Sequence, residues 1–431
     1  MKKILFIIII ILILGGGVLY YQKNKTSTSG EKTGVIETLK DFFPSSTSRK
    51  ILENLPFGTS TENSEQQTDE ENRLNLNTEF QPISQNQISG ASVVMGQTGE
   101  KKTSVWYLEK ETGYVFSYQP ETGKKEQLSN TTWPGSLEVY WGQAKSGPIF
   151  ILRRIKNSIT ENYLSQIDSK KSASTSLSEL TGINLPINIY SLAVSPSKEQ
   201  YFYLTTSSEG SVGYIGSFPL NSSPVKIFDS PYPKWQVAWL EENNIIFHTP
   251  AQVNQDGLVY SFNIKTRSFE RIFGNIKGLT SLFSPDTKKI LFAGNDLKLN
   301  LKYSSNGATP ITLGISTIPE KCLWTKDSLK IYCSVPNNLP SGSYPDDWYQ
   351  GAINFSDSLW LIDTKTGTTK QIYNPENATG KYKIDGVKLF LTPNEDYLFI
   401  INKTDDTLWQ LKLTDSFTLK TTASSSSKLN P

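Results

Sequence analysis

The sequence predicts an all-β fold, a β-propeller of seven four-stranded blades. The first observation is a phrase in which a hydrophobic strand enters a tight polar turn and a second hydrophobic strand follows; its clearest copy covers residues 283–292. The second is that near-copies recur at a spacing of roughly 45 residues, the length of a four-stranded blade. The third is an abundance of aromatic residues, nine Trp and twenty each of Tyr and Phe, which are enriched in strands. Because a lone blade cannot bury both of its faces, the copies are expected to pack side by side in a ring.

The chain begins with Lys2 and Lys3, and an apolar segment follows from Ile4 to Tyr21. As a helix, the 18 residues of this segment would span about 27 Å, enough for the core of a bilayer. Residues 1–21 are therefore predicted to be an N-terminal membrane anchor. A cleaved signal peptide is the alternative, although the apolar run is long for one and no clear cleavage site follows it. Lys2 and Lys3 favour a cytoplasmic N-terminus, which predicts that the rest of the chain is extracytoplasmic, at the cell surface or in the periplasm.

Residues 22–90 are dominated by Ser, Thr, Asn, Gln and Glu. They are predicted to be a low-complexity linker, because such a segment buries too little apolar surface to order itself. Within it, one helical face carries Val35, Ile36, Leu39, Phe42 and Phe43, which indicates either a transient helix or a helix that lies on the membrane surface or docks to a partner. Residues 416–431 are predicted to be a disordered tail.

Residues 91–415 are predicted to form the propeller. The copies of the phrase are aligned on the last apolar residue before each turn: Met95, Trp141, Val194, Trp239, Phe283, Trp324 and Leu391. Successive separations of 46, 53, 45, 44, 41 and 67 residues fit one blade per copy, with two enlarged copies. Six or eight blades remain possible because the copy at Met95 is the weakest. Ring closure needs a strand from one terminus, and both residues 80–88 and residues 417–421 are candidates.

The strand after the turn supports this alignment. Both the seventh and the eighth residue past five of the anchors are apolar, as in Ile290 and Leu291. A strand with one wet face would alternate, whereas a strand between two neighbouring blades need not.

The copies at residues 194–203, 283–292 and 391–400 resemble the WD40-like repeat of the propellers in TolB and in prolyl-oligopeptidase-type enzymes. The resemblance covers roughly residues 91–413 and implies the fold, since the motif residues build a turn rather than a site. No counterpart of the α/β domain of TolB or of the hydrolase domain of the peptidases is recognised. The resemblance therefore implies a binding or scaffold module.

Several function classes are disfavoured by composition. The formal net charge is +2 and there is no basic stripe with interleaved aromatic residues, so no nucleic-acid partner is predicted. His248 is the only histidine, so catalytic arrangements that use His depend on this one residue, which falls at a predicted core position of its blade. Metal sites built from several His or Cys are excluded by counting, and no nucleotide-binding motif is present. No catalytic residue, metal or cofactor is predicted.

Cys322 and Cys333 are the only cysteines. With Asp327 and Ser328 at the centre of the intervening hairpin, the two are expected to face each other on adjacent antiparallel strands. The sequence predicts a disulfide between them in an oxidising compartment, and two buried thiols are the alternative.

A long insertion, residues 337–351, interrupts the sixth blade between its second and third strands. Its acidic and aromatic residues are the predicted binding residues: Tyr344, Asp346, Asp347, Trp348 and Tyr349. Aromatic side chains supply rigid contact area for recognition. The alternative is that the loop folds over the blade and buries Trp348.

These observations predict a membrane-anchored, extracytoplasmic propeller that binds a protein or a glycan at the cell envelope without catalysis. One alternative is a glycan-acting enzyme that uses propeller carboxylates, about 5–10 Å apart across the central funnel. The other is a structural subunit of an envelope or pilus-like assembly, which predicts a large exposed apolar patch.

Overall fold

A computed structural model describes residues 79–95, 103–144, 147–167, 177–218, 223–304, 308–377 and 382–413. These residues form seven antiparallel sheets of four strands each. The prediction of seven four-stranded blades is confirmed.

The strands follow the order of the chain, and strand β1 (Phe80–Pro82) precedes the first complete blade. Blade 1 consists of β2 (Ile88–Met95), β3 (Thr103–Glu109), β4 (Val115–Tyr118) and β5 (Lys125–Gln127). Blade 2 consists of β6 (Ser136–Ala144), β7 (Gly147–Lys156), β8 (Ile159–Gln166) and β9 (Thr181–Leu185). Blade 3 consists of β10 (Ile189–Val194), β11 (Gln200–Ser207), β12 (Gly210–Ser217) and β13 (Val225–Ser230).

The remaining four blades are built in the same way. Blade 4 consists of β14 (Gln236–Glu241), β15 (Asn244–His248), β16 (Asp256–Asn263) and β17 (Phe269–Lys277). Blade 5 consists of β18 (Thr280–Phe283), β19 (Lys289–Ala293), β20 (Lys298–Tyr303) and β21 (Ile311–Ser316). Blade 6 consists of β22 (Cys322–Trp324), β23 (Lys330–Pro336), β24 (Asp357–Asp363) and β25 (Thr369–Tyr373). Blade 7 consists of β26 (Gly386–Leu391), β27 (Tyr397–Asn402), β28 (Thr407–Lys412) and β1.

The first strands of neighbouring blades contact one another, as β2 does with both β6 and β26, so these strands surround the axis of the ring. Because each blade is an up-and-down sheet, its loops open on two faces. The loops between second and third strands and the connections between blades open on one, called here the upper face. The turns between first and second strands open on the lower face.

The repeated phrase folds as a turn held by a hydroxyl group. The first residue of the turn, directly after the strand, is Ser or Thr. Its hydroxyl oxygen accepts the backbone N–H of the residue five positions later, at 3.0 Å in both Ser284–Lys289 and Thr325–Lys330. The fourth residue has a positive φ in four copies: Lys198, Thr287, Ser328 and Glu395. The motif therefore encodes a compact turn, which explains why it predicts the fold and not a ligand.

The core lies between blades. Seven clusters of buried hydrophobic residues each join two neighbouring blades. Consecutive residues of the second strands point to opposite neighbours: Ile331 packs between blades 5 and 6, and Tyr332 packs between blades 6 and 7. The prediction that both faces of these strands are apolar and buried is confirmed.

Strand β1 closes the ring. It pairs with β28 in the register Phe80 to Leu411 and Pro82 to Trp409, so a segment from the N-terminal side completes the last blade. The strand lies inside residues 22–90, the range predicted as linker, and it decides between the two closure candidates in favour of residues 80–88.

Across the described ranges between residues 79 and 413, no helix combines the length and apolar character needed to cross a bilayer. Residues 1–21, the predicted anchor, and residues 416–431, the predicted tail, lie outside the described residues. The anchor stays a prediction.

Candidate functional site

The insertion in blade 6 is an ordered element on the upper face. It connects β23 to β24 and contains one helical turn, α1 (Asp346–Tyr349). Asp347 Oδ2 accepts the Ser343 N–H at 2.7 Å inside the insertion, and Asp346 Oδ2 accepts the Val253 N–H of blade 4 at 2.6 Å. The insertion thus reaches from blade 6 to the upper loop of blade 4. Both predicted acidic residues accept a hydrogen bond from a backbone amide.

The aromatic residues of the insertion divide into two groups. Tyr344 and Trp348 are each 4% exposed and pack with Phe355 in a small cluster that also includes Leu297 of blade 5. Tyr349 is 41% exposed. Among the five predicted binding residues, the two buried aromatics fix the insertion to the propeller, whereas Tyr349 faces solvent. The binding role of the five stays a prediction.

Beneath Trp348 lies a buried ion cluster, Lys321, Asp357 and Asp385, whose side chains have no solvent exposure. The Lys321 ammonium lies 2.7 Å from Asp357 Oδ2 and also contacts Asp385 Oδ1. The Trp348 indole N–H donates to Asp385 Oδ2 at 2.9 Å, so the insertion is tied directly to the cluster. Buried charges are stable only when paired and hydrogen-bonded, and this pairing fixes the insertion, blade 6 and blade 7 together.

The sequence reasoning missed this cluster. Lys321 precedes β22, Asp357 begins β24 and Asp385 precedes β26, so the three are separated by 36 and 28 residues. The available signal was a charged residue at the start of each of three strands at the upper face. Nothing in a single sequence indicates that the three meet.

The cluster contains one cation for two carboxylates. Burial raises the pKa of Asp357 to about 6; the Lys321 charge opposes this rise and the Asp385 charge adds to it. Within the described part of the chain, Asp357 Oδ1 has no hydrogen-bond partner, whereas Oδ2 accepts the Gly386 N–H at 2.7 Å. Proton uptake by Asp357 therefore relieves the excess negative charge.

We expect the replacement Asp357→Asn to remove a pH dependence of stability. Because the folded protein raises the pKa of Asp357, its contribution is fully present below the pKa of the unfolded chain and is lost as the pH rises through about 6. Between pH 4 and pH 7, the wild type should lose about 2–3 kcal/mol of unfolding free energy relative to the variant. Urea unfolding at both pH values measures this difference. Asp296→Asn, at an exposed carboxylate, is the control, and an equal pH response of Asp357→Asn and wild type would contradict the assignment.

Tyr349 forms a hydrogen bond with Glu320, an acidic residue beside the buried ion cluster. Its hydroxyl donates to Glu320 Oε1 at 2.6 Å, and Glu320 directly precedes Lys321. The surrounding protein raises the pKa of Glu320, and the Tyr349 hydrogen bond opposes the rise. Glu320 is nevertheless exposed to solvent, which is the situation of a side chain in the wall of a concave surface. The pair joins an exposed aromatic residue of the insertion to an exposed carboxylate outside it.

His248 and the cysteines have structural surroundings. His248 ends β15 and its Nδ1 lies 3.2 Å from the Ser281 hydroxyl of blade 5. Burial lowers the pKa of His248 to about 4, so the ring is neutral near pH 7. Cys322 and Cys333 face each other across β22 and β23, as the alignment predicts, and their Sγ atoms lie at the bonded distance of 2.10 Å.

A different part of the upper face is apolar and exposed. The hairpin of β7 and β8 turns at Asn157 and Ser158, both with positive φ, as in a two-residue type I′ turn. Ile155 and Ile159 flank this turn and are 50% and 49% exposed. Leu137 and Ile187, at the same end of blade 2, are 39% and 62% exposed. These four residues are called the blade 2 patch.

The register explains why the patch is uncovered. Ile155 pairs with Thr160 and Ile159 pairs with Lys156, so the two isoleucines lie on opposite faces of the hairpin. Both remain half exposed, which means that the tip projects beyond the protein on either side. The sequence reasoning did not single out these residues, although isoleucine on both sides of an Asn-Ser turn was a visible signal.

Comparisons with known proteins show that the chain is similar in fold to several solved structures. No protein-family model matches the chain, and no curated protein matches it. Among solved structures, the chain is similar to an oligogalacturonate lyase from Vibrio parahaemolyticus, with 9% identity, a TM-score of 0.48, and coverage of 77% of this chain and 98% of that chain. It is similar to TolB from Acinetobacter baumannii at 10% identity and a TM-score of 0.38, over 66% of this chain and 62% of that chain. U3-55K matches at 10% identity and a TM-score of 0.49, over 78% of this chain and 98% of that chain.

TolB is thus among the matched structures, in agreement with the resemblance carried by the repeat. At these identities and TM-scores the likenesses concern the fold alone and carry no information about activity.

The ionisable groups around the insertion differ in their access to solvent. Asp357 and Asp385 are fully buried against Lys321 and are closed to a substrate. No group of three or more His, Cys, Asp or Glu side chains that could hold a metal ion occurs in the portion of the chain that is described. The Tyr349–Glu320 pair and the blade 2 patch are among the accessible groups of the upper face.

Proposed function

We propose that the protein is a membrane-anchored, extracytoplasmic binding module that holds another envelope protein against the upper face of its propeller. The four residues of the blade 2 patch carry this proposal, because each exposes an aliphatic side chain and all four lie at the upper end of one blade. Exposed apolar surface is a feature of sites at which proteins bind one another.

The chemistry of the patch favours a protein over a glycan as partner. Leu137, Ile155, Ile159 and Ile187 offer no hydrogen bonds to sugar hydroxyls, whereas aliphatic side chains fill the apolar centre of a protein interface. A rigid two-residue turn presents Ile155 and Ile159 with little conformational entropy left to lose on binding. The predicted anchor and linker would keep this surface at a fixed distance range from the membrane.

The double replacement Ile155→Glu/Ile159→Glu is expected to weaken binding and leave the fold intact, because both side chains are half exposed. The full-length protein is cross-linked in native membranes, purified, and its partners are quantified by mass spectrometry. We expect recovery of the main partner to fall at least about tenfold, which corresponds to the loss of two apolar contacts at an interface.

Val225→Glu is the matched control, since Val225 is 60% exposed but begins the outer strand of blade 3 at the lower face. Equal recovery of the partner by all three proteins would contradict the proposal. Recovery from the soluble fraction, instead of from membranes that withstand alkaline extraction, would contradict the predicted anchor alone.

The glycan-acting enzyme is the alternative. It requires two carboxylates that reach a substrate, about 5–10 Å apart. Hydrolysis of an envelope glycan by the purified protein, lost when Glu320 is replaced by Gln, would favour it over the binding module.

A further inference from the structure

A cavity of about 460 Å³ opens between blades 4 and 5, away from the insertion. Its wall includes Asn244 at the start of β15, Thr287 in the turn after β18, and Ser304 at the end of β20. These positions belong to the lower face. The volume is in the range of pockets that hold small organic ligands.

The floor of the cavity is apolar. Ile246, Phe283 and Ile290 line it, and each is 3% exposed in the folded protein. All three belong to the core cluster between the two blades, so the floor is formed by packed strands and is not a gap between loops. Ile272 also lines the cavity and is 42% exposed, so an aliphatic or aromatic ligand body would contact Ile272.

Two cations stand at the wall, Arg271 from β17 of blade 4 and Lys302 from β20 of blade 5. The Lys302 ammonium donates to the Ala308 carbonyl at 2.9 Å and makes no ion pair with a described residue. Among the arginines that the structure describes, Arg153 and Arg154 are in ion pairs and Arg267 binds a carbonyl, whereas Arg271 has neither kind of partner. An exposed guanidinium beside an apolar floor is available for an anion.

Glu241 is the acidic residue that lines the cavity, and one of its carboxylate oxygens already accepts a hydrogen bond. Glu241 Oε2 accepts the Asn244 amide N–H at 2.6 Å. The charges of Glu241, Arg271 and Lys302 sum to one positive charge, which favours a monoanion. The Glu241 carboxylate would accept an N–H of the same ligand.

We propose that this cavity binds a carboxylate whose neighbouring carbon carries an apolar side chain and an acylated amine. Arg271 and Lys302 bind the carboxylate, since a guanidinium matches a carboxylate with two parallel hydrogen bonds. The apolar side chain packs against Ile272, and the amide N–H donates to Glu241. The C-terminal residue of a peptide and a free N-acyl amino acid share this chemistry. The site lies on the face opposite the blade 2 patch and is independent of it.

Three probes test the assignment by isothermal titration calorimetry on the purified protein: N-acetyl-leucine, N-acetyl-leucinamide and the peptide acetyl-Ala-Ala-Leu with a free carboxyl end. A ligand of this size is expected to bind with a Kd on the order of 1 mM. The amide should bind at least about tenfold more weakly than the acid, because it cannot form the charge-assisted pair with Arg271. Tighter binding of the peptide than of N-acetyl-leucine assigns a peptide end as the source, and equal binding assigns a free amino-acid derivative.

Arg271→Gln is expected to weaken N-acetyl-leucine by about tenfold and to leave the amide unchanged. Lys298→Gln is the matched control, since Lys298 begins the same strand as Lys302 and does not line the cavity. Equal thermal unfolding of the three proteins shows that the comparison concerns binding. The proposal is overturned if the acid and the amide bind equally, if Arg271→Gln binds like the wild type, or if no probe binds at about 10 mM.

Discussion

Replacement of Lys321 by Met is expected to lower the free energy of unfolding by about 3–5 kcal/mol. Lys321 is the cation of the buried ion cluster, and its removal leaves Asp357 and Asp385 facing each other without solvent. The desolvation cost of both carboxylates remains while the attraction that offsets it is lost. Urea unfolding at pH 7 measures the change.

The pH dependence of the Lys321→Met variant separates this cause from a simple packing defect. Its deficit should shrink as the pH falls, because protonation of the two carboxylates removes the uncompensated charge. Adding Asp357→Asn to Lys321→Met should recover part of the loss, which a double-mutant cycle reports as a coupling energy.

Lys124→Met is the matched control. Lys124 pairs with Glu126 at the surface, where the two side chains are 61% and 46% exposed, so the change should cost less than about 0.5 kcal/mol. A Lys321→Met variant that behaves like Lys124→Met, or a deficit that does not depend on pH, would show that the cluster does not stabilise the fold.

The buried ion cluster also bears on how the upper face is organised. Asp385 accepts the Trp348 indole N–H and the Phe355 amide N–H, so this carboxylate contributes to the position of the insertion. Tyr349 follows Trp348 directly, and its contact with Glu320 depends on the same fixed position. A change in the cluster should therefore alter the accessible surface of the insertion as well as stability.

The fold was predictable from the sequence because the repeat is local. The turn from Ser284 to Lys289 is closed by bonds between residues at most five apart, and the apolar pair Ile290–Leu291 that follows it marks a strand buried on both sides. Such signals need no knowledge of distant residues. The same locality set Cys322 opposite Cys333, since only one hairpin separates them.

The candidate site was harder to predict because it depends on long-range contacts. Asp346 was predicted to be a binding residue, and in the structure it accepts the amide N–H of Val253, which is 93 residues away. Trp348 was predicted to take part in recognition, with burial over the blade as the alternative; it is buried, and its indole N–H donates to Asp385 in the next blade. In both cases the residue type was noticed, but its partner is supplied by the ring, and no pattern in the sequence encodes which loop lies above which strand.

The strand that closes the ring was also not predictable from the sequence alone, because its position depends on long-range contacts. Residues 80–88 and residues 417–421 both had the composition of a closing strand. The choice depends on packing against β28: Phe80 stacks on Trp409 with ring centroids 5.1 Å apart, and the Glu79 carbonyl accepts the Lys412 N–H at 2.8 Å. The N-terminal segment thereby fills the outer edge of blade 7.

Phe80→Ala is accordingly expected to lower the free energy of unfolding by about 3–5 kcal/mol, the range for removal of a buried phenylalanine. Phe80 is 5% exposed and lies in the cluster between blades 6 and 7, where it contacts both Trp409 and Tyr373. Its loss weakens the strand that holds the last blade to the N-terminal side of the chain. Urea unfolding of the wild type and the variant measures the effect.

Phe417→Ala is the matched control, because it removes the same side chain from the other candidate segment, and it should change the unfolding free energy by less than about 0.5 kcal/mol. With four strands already present in blade 7, a fifth is not needed to complete the sheet. A large loss for Phe417→Ala together with a small one for Phe80→Ala would mean that the C-terminal segment closes the ring. We expect a much larger loss of unfolding free energy for Phe80→Ala than for Phe417→Ala. That order would mean that the chain leading to the predicted membrane anchor is itself part of the propeller, so that the linker begins at the edge of blade 7.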